Sequence, residues 1–113
     1  MAEPTLSDWV WIESMFRAAM IGAISSNVRQ IVLRYETSTW HLRVTLAKED
    51  ADDREEMDDI VDQFSVLLED IKNRISADAY CRAQQDTIVH QGALTEASDT
   101  RQRIMYRRRE DGY

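Results

Sequence analysis

The side chains best suited to chemistry crowd into one stretch. In KEDADDREEMDD, residues 48–59, eight of twelve positions are carboxylates, answered only by Lys48 and Arg54. Carboxylates at such density serve metal binding, the start of a helix, or display toward a basic partner. A calcium loop needs a glycine at its sharp turn and a closing bidentate glutamate. This stretch has no glycine, and a helix would send its carboxylates in different directions, so no metal is expected. A helix start accounts for Asp50, Asp52 and Asp53, because the positive helix end stabilises nearby carboxylates by about 0.3–1 kcal/mol each. It does not account for Asp58, Asp59, Asp62 and Glu69, further along, where mutual repulsion opposes the helix. For these, two readings stand: a solvated face that serves solubility, or a surface shaped for a basic partner.

The remaining reactive residues do not converge. His41 lies in a strand pattern opposite an apolar stripe, and His90 sits in a segment without clear periodicity. Cys81, among small apolar neighbours, reads as a buried filler rather than a thiolate. No nucleophile has a base and an orienter at a recognisable spacing. The chain has no GxGxxG, phosphate loop, Gly-x-Ser-x-Gly, CxxC or HExxH, and only three glycines with which to cradle a phosphate. Neither an enzyme nor a cofactor is expected. Arg101, Arg103, Arg107, Arg108 and Arg109, interleaved with Tyr106, have the composition of a phosphate-contacting strand. In a strand, however, Arg107 and Arg109 face one side and Arg108 the other, so pairing within the chain is favoured over nucleic acid.

The elements that must carry these residues follow from periodicity. Thr5 or Ser7 can cap a first helix, in which Trp9, Ile12, Phe16, Ala19, Met20 and Ala23 form one apolar stripe; SSN at 25–27 ends it. Trp11 falls off that stripe, which suits an interface anchor. VRQIVLRYE places Ile31, Leu33 and Tyr35 on one face, and TWHLRVTLA places Trp40, Leu42, Val44 and Leu46 on one face. The short ETST between them predicts an antiparallel hairpin. In MDDIVDQFSVLLEDIKN, Met57, Ile60, Val61, Phe64, Leu67, Leu68 and Ile71 repeat with helical spacing. Glu55, Asp58, Asp59, Asp62 and Glu69 take the opposite face, with apolar Val66 among them. ISADAYCRAQ alternates weakly through Ile75, Ala77, Ala79 and Cys81, and RIMYRRRE predicts a closing strand with Ile104 and Tyr106 inward. Residues 84–100 are long for a bare loop, so a short element is expected there. The order helix-strand-strand-helix-strand-strand predicts an α+β fold: an antiparallel sheet with both helices on one face.

Length and charge set the wider bounds. The 113 residues suit one domain spanning 1–113. The N-terminus carries Glu3 and Asp8 and no basic region followed by an apolar run, which predicts a cytoplasmic protein outside any membrane. The net charge is −7, unevenly spread. The last thirteen residues carry five arginines against Glu110 and Asp111, or +3, which leaves −10 for residues 1–100. Such a body repels nucleic acid and attracts basic partners.

The succession AMIGAISSNVRQIVLRYE, WHLRVTLAKEDADDREEMDDIVDQF and terminal RIMYRRRED resembles small acidic immunity proteins of bacterial contact-dependent growth inhibition and related toxin systems. The resemblance implies a cytoplasmic protein that binds and blocks one cognate toxin domain, often a nuclease with a basic cleft. Charge and exposure in this sequence, rather than the resemblance, nominate the partner-binding residues: Asp52, Glu55, Asp58, Asp59, Asp62 and Glu69 for electrostatics, and Val66 as an apolar contact. The expected assembly is a monomer bound to a basic toxin. The alternative is a structural or adaptor domain that self-associates through the hairpin edge or the Trp11 face.

Overall fold

The computed structural model describes residues 4–20, 22, 24–36, 39–71, 83–94 and 101–109. They form the expected succession: α1 (Leu6–Met20), β1 (Val28–Glu36), β2 (Thr39–Leu46), α2 (Ala51–Ile71), β3 (Ala83–Val89) and β4 (Gln102–Arg107).

Both helix starts are built from local hydrogen bonds. Thr5 and Asp8 exchange bonds reciprocally: the Thr5 N–H donates to Asp8 Oδ2 (3.0 Å) and the Asp8 N–H to Thr5 Oγ1 (3.1 Å). This is a capping box with aspartate in the glutamate position. At α2, the Asp53 N–H donates to Asp50 Oδ1 (3.0 Å), so Asp50 is the cap and part of the acidic run has a structural task. Helix α1 ends at Met20, ahead of SSN, and Gly22 follows with a φ of 81°, a conformation that only glycine adopts without strain. Ser25 instead accepts the Val28 N–H (3.1 Å) in the turn that leads into β1.

Both stripes are buried against one face of a four-stranded sheet. Trp9, Ile12, Phe16 and Ala19 of α1 and Met57, Ile60, Phe64 and Leu68 of α2 join Ile31, Leu33, Tyr35, Trp40, Leu42, Val44 and Leu46 in one core. Phe16 meets Phe64 edge-on with centroids 5.1 Å apart, tying helix to helix. Trp9 meets Trp40 edge-on at 5.2 Å, tying α1 to β2. Edge-on contact is the arrangement that the ring quadrupole favours.

The strand order is β3-β2-β1-β4. β1 pairs antiparallel with β2, in a register that sets Tyr35 opposite Trp40, Leu33 opposite Leu42 and Ile31 opposite Val44, as a hairpin requires. Residues 37 and 38 of the predicted connection lie outside the described residues. β4 pairs antiparallel with the other side of β1. β3, by contrast, runs parallel to β2, so the sheet is mixed rather than wholly antiparallel. The cause is α2, whose 21 residues return the chain to the end where β2 began, as a parallel crossover must.

The third strand occupies Ala83–Val89, mostly within the segment whose periodicity was unclear. The predicted alternation through Ile75, Ala77, Ala79 and Cys81 lies outside the described residues, as does Ala23. In β4, a register shift opposite Ile31 and Val32 places Tyr106 beside Ile31 and Ile104 beside Val32. Ile31 and Val32 face opposite sides of the sheet, so Ile104 and Tyr106 do not share the inward face. Of the two, Tyr106 packs on the core, as does Met105 beside it.

Candidate functional site

Helix α2 projects most of its described carboxylates outward, Asp53 being buried. Asp52, Glu55, Asp58, Asp59, Asp62 and Glu69 are all exposed, and Val66 stands among them 64% exposed. At 100° per residue these positions span about a third of the helix circumference, opposite the stripe of Met57, Ile60, Phe64 and Leu68. From Asp52 to Glu69 the row is about 26 Å long at 1.5 Å per residue. Among the described residues, no group of three or more His, Cys, Asp or Glu side chains is placed to hold a metal ion.

The start of this helix is anchored to the sheet. Asn27 Nδ2 donates to the Lys48 carbonyl and to Asp53 Oδ2 (2.8 Å each), and the Lys48 N–H donates to Asn27 Oδ1 (3.0 Å). One asparagine thus ties the turn before β1 to the cap of α2. Arg54 faces the other flank: its Nη2 donates to Glu49 Oε1 (2.8 Å), its Nε to Glu49 Oε2, and its Nη1 to the Thr87 carbonyl of β3 (3.1 Å). The guanidinium holds the Glu49 carboxyl below the usual carboxylate range, chiefly through these side-chain hydrogen bonds. Glu49 raises Arg54 in return. One turn on, Asp58 Oδ1 accepts Gln85 Nε2 of β3 (2.7 Å).

The opposite sheet face carries no described helix. A concavity of about 400 Å³ lies there, lined among others by Arg34, His41, Arg43, Gln84, Asp86 and Gln102. Its charges answer one another: Arg34 lies 3.2 Å from Glu36, and Arg43 lies 3.7 Å from Asp86. His41 is half-buried beside them and His90 is exposed on the chain leaving β3. These two histidines are on different segments.

The arginine cluster is distributed rather than assembled. Arg103 lies over the Trp9 ring, 4.5 Å from its centroid. Arg107 donates to Gln30 Oε1, and Arg108 to the Ser26 carbonyl (2.6 Å). Among their partners are an aromatic face, an amide and backbone carbonyls. Sequence reasoning missed Arg29: only 2% exposed, it donates Nη1 to the carbonyls of His90 (2.6 Å) and Gly92 (2.9 Å), clamping the chain after β3 against β1. No local signal separates Arg29 from its neighbours on a strand. Trp11 is 37% exposed on α1. The hairpin has no free edge, because β1 and β2 are the two interior strands. Among the described residues, no helix is long and apolar enough to cross a membrane.

The described residues form a small α+β protein, two helices on one face of a four-stranded mixed sheet, with a row of exposed carboxylates along α2. Residues 7–110 match the model of the MafI2 immunity protein family, and the chain belongs to that family. Its role is accordingly that of an immunity protein toward a toxin. No curated protein matches the chain.

Proposed function

We propose that this immunity protein neutralises its cognate toxin domain by binding a basic surface of it, in a nuclease, through the exposed face of α2. The observation that carries this reading is the row Asp52, Glu55, Asp58, Asp59, Asp62 and Glu69, solvent-facing along one helix with Val66 exposed inside it. Solubility needs no such concentration, and like charges one turn apart cost helix stability. A cleft that holds a phosphate backbone is cationic, so a ridge of carboxylates competes for the same field. Long-range attraction speeds encounter and selects the partner, while apolar contact around Val66 contributes to residence time. The chain contributes binding and no chemistry of its own, and it acts in the cytoplasm as a monomer. The test is association kinetics with the cognate toxin domain for an Asp59→Lys/Asp62→Lys variant across a salt series. A slower on-rate at low salt that converges with the parent at high salt is expected. Identical association at every salt concentration removes α2 from the interface.

A further inference from the structure

β3 closes one side of the sheet, and among the described residues no strand pairs with its outer side. In a parallel ladder, successive residues turn their backbone groups alternately to the neighbour and away from it. The His90 N–H donates to the Leu46 carbonyl of β2 (3.1 Å). That phase points the backbone groups of Gln84, Asp86 and Ile88 at β2 and those of Gln85 and Thr87 outward. The bond from Arg54 Nη1 to the Thr87 carbonyl agrees with this phase. A charged side chain thus occupies an acceptor that an added strand would take with an N–H group.

Beside this edge stands the acidic flank of α2. Asp58 is hydrogen-bonded to Gln85, and Asp62, one turn further on the same flank, is exposed. A strand laid along β3 would turn alternate side chains toward these carboxylates.

We infer that the outer edge of β3, with the Asp58–Asp62 flank of α2, is a strand-addition site for an extended basic segment of the toxin. This rests on the proposed toxin-binding role of the acidic face. The segment donates to and accepts from the outward groups of Gln85 and Thr87, and its Lys or Arg side chains meet Asp58 and Asp62. Arg54 holds the Thr87 carbonyl until the segment arrives, then keeps its pairing with Glu49. Main-chain bonds supply affinity in this mode of recognition, and the alternate side chains supply specificity.

The experiment compares Gln85→Pro with Gln85→Ala for affinity toward the cognate toxin domain. Proline removes the outward N–H of Gln85 and blocks an added strand, yet takes no hydrogen bond from the β2–β3 ladder. Alanine removes the side-chain bond to Asp58 and leaves the edge open. At least about a tenfold loss for proline, with alanine within about threefold of the parent, is expected from one lost main-chain bond plus steric exclusion of the added strand. If proline and alanine match the parent while Asp59→Lys/Asp62→Lys weakens binding, strand addition is overturned and the acidic-face reading stands. If none of the variants changes binding, both fall. Should the proline variant fail to fold, amide exchange on the unaltered protein decides: slowing at Gln85 and Thr87 on toxin binding is expected, and unchanged exchange there overturns the inference.

Discussion

Reversing two charges on α2 yields an effect whose size and salt dependence follow from the geometry. Asp59 and Asp62 are exposed and lie within the acidic row. Asp59→Lys with Asp62→Lys changes the local charge by four units, whereas the core stripe of Met57, Ile60, Phe64 and Leu68 on the opposite side is untouched. Two unit charges about 10 Å apart in water interact by about 0.4 kcal/mol. Four units against one partner charge at that distance therefore amount to about 1.7 kcal/mol without screening. With a Debye length of about 30 Å at 0.01 M salt, about 1.2 kcal/mol survives, or roughly a sevenfold slower association. With about 8 Å at 0.15 M, about 0.5 kcal/mol survives, or roughly twofold. Stopped-flow mixing with the toxin domain across that range reads the ratio directly. The variant's melting temperature should not fall, because the substitutions relieve repulsion along the helix. A rate ratio that stays constant as salt rises would refute the electrostatic reasoning. A sevenfold loss at every ionic strength would assign the effect to short-range contact.

Three further outcomes concern the scaffold that presents this face. Phe64→Ala empties a fully buried site against Phe16 and should cost about 3–5 kcal/mol in urea unfolding; a loss below about 1 kcal/mol would mean the two helices do not pack through these rings. Asn27→Ala removes the bonds to Lys48 and Asp53 that join the turn before β1 to the start of α2, and should cost about 1–3 kcal/mol. Amide exchange should localise that loss to the first turn of α2. Glu49 is held below its ordinary value chiefly by hydrogen bonds from Arg54, so its contribution is complete above the unfolded carboxylate range and fades as pH falls through the lower folded value. Denaturation of the parent and Glu49→Gln should therefore differ at neutral pH and converge in acid, whereas a pH-independent gap would contradict the pairing.

Much of this molecule is legible in one dimension because its periods are local. The spacing of Trp9, Ile12, Phe16 and Ala19, and of Met57, Ile60, Phe64 and Leu68, is the helix's own repeat, and all eight are buried. Alternation in β1 and β2 likewise determined which side of each strand meets the helices, and the helical repeat of α2 determined that Asp59, Asp62 and Val66, opposite its buried stripe, meet solvent. A single long helix between β2 and the next strand also implied an α+β arrangement with one helical layer.

Only tertiary structure decided which strands become neighbours. β3 reads AQQDTIV, with an exposed Gln84 and Asp86 and a half-buried Gln85. A strand that is outermost among the described residues and exposes Gln84 and Asp86 carries little hydrophobic alternation, so its position was not evident before its pairing with β2 was known. The parallel sense of that pairing depends on where α2 delivers the chain, which no strand encodes within itself. The arginines show the same division. Their charge is a property of residue type, but Arg103 over Trp9, Arg29 on the His90 and Gly92 carbonyls, and Arg54 at the edge of β3 are contacts between residues far apart in the chain. Sequence determined the acidic helix face and the core beneath it. The fold decided that this face borders β3, the outermost strand among the described residues, because adjacency between distant segments is set by how the whole core packs rather than by any local repeat.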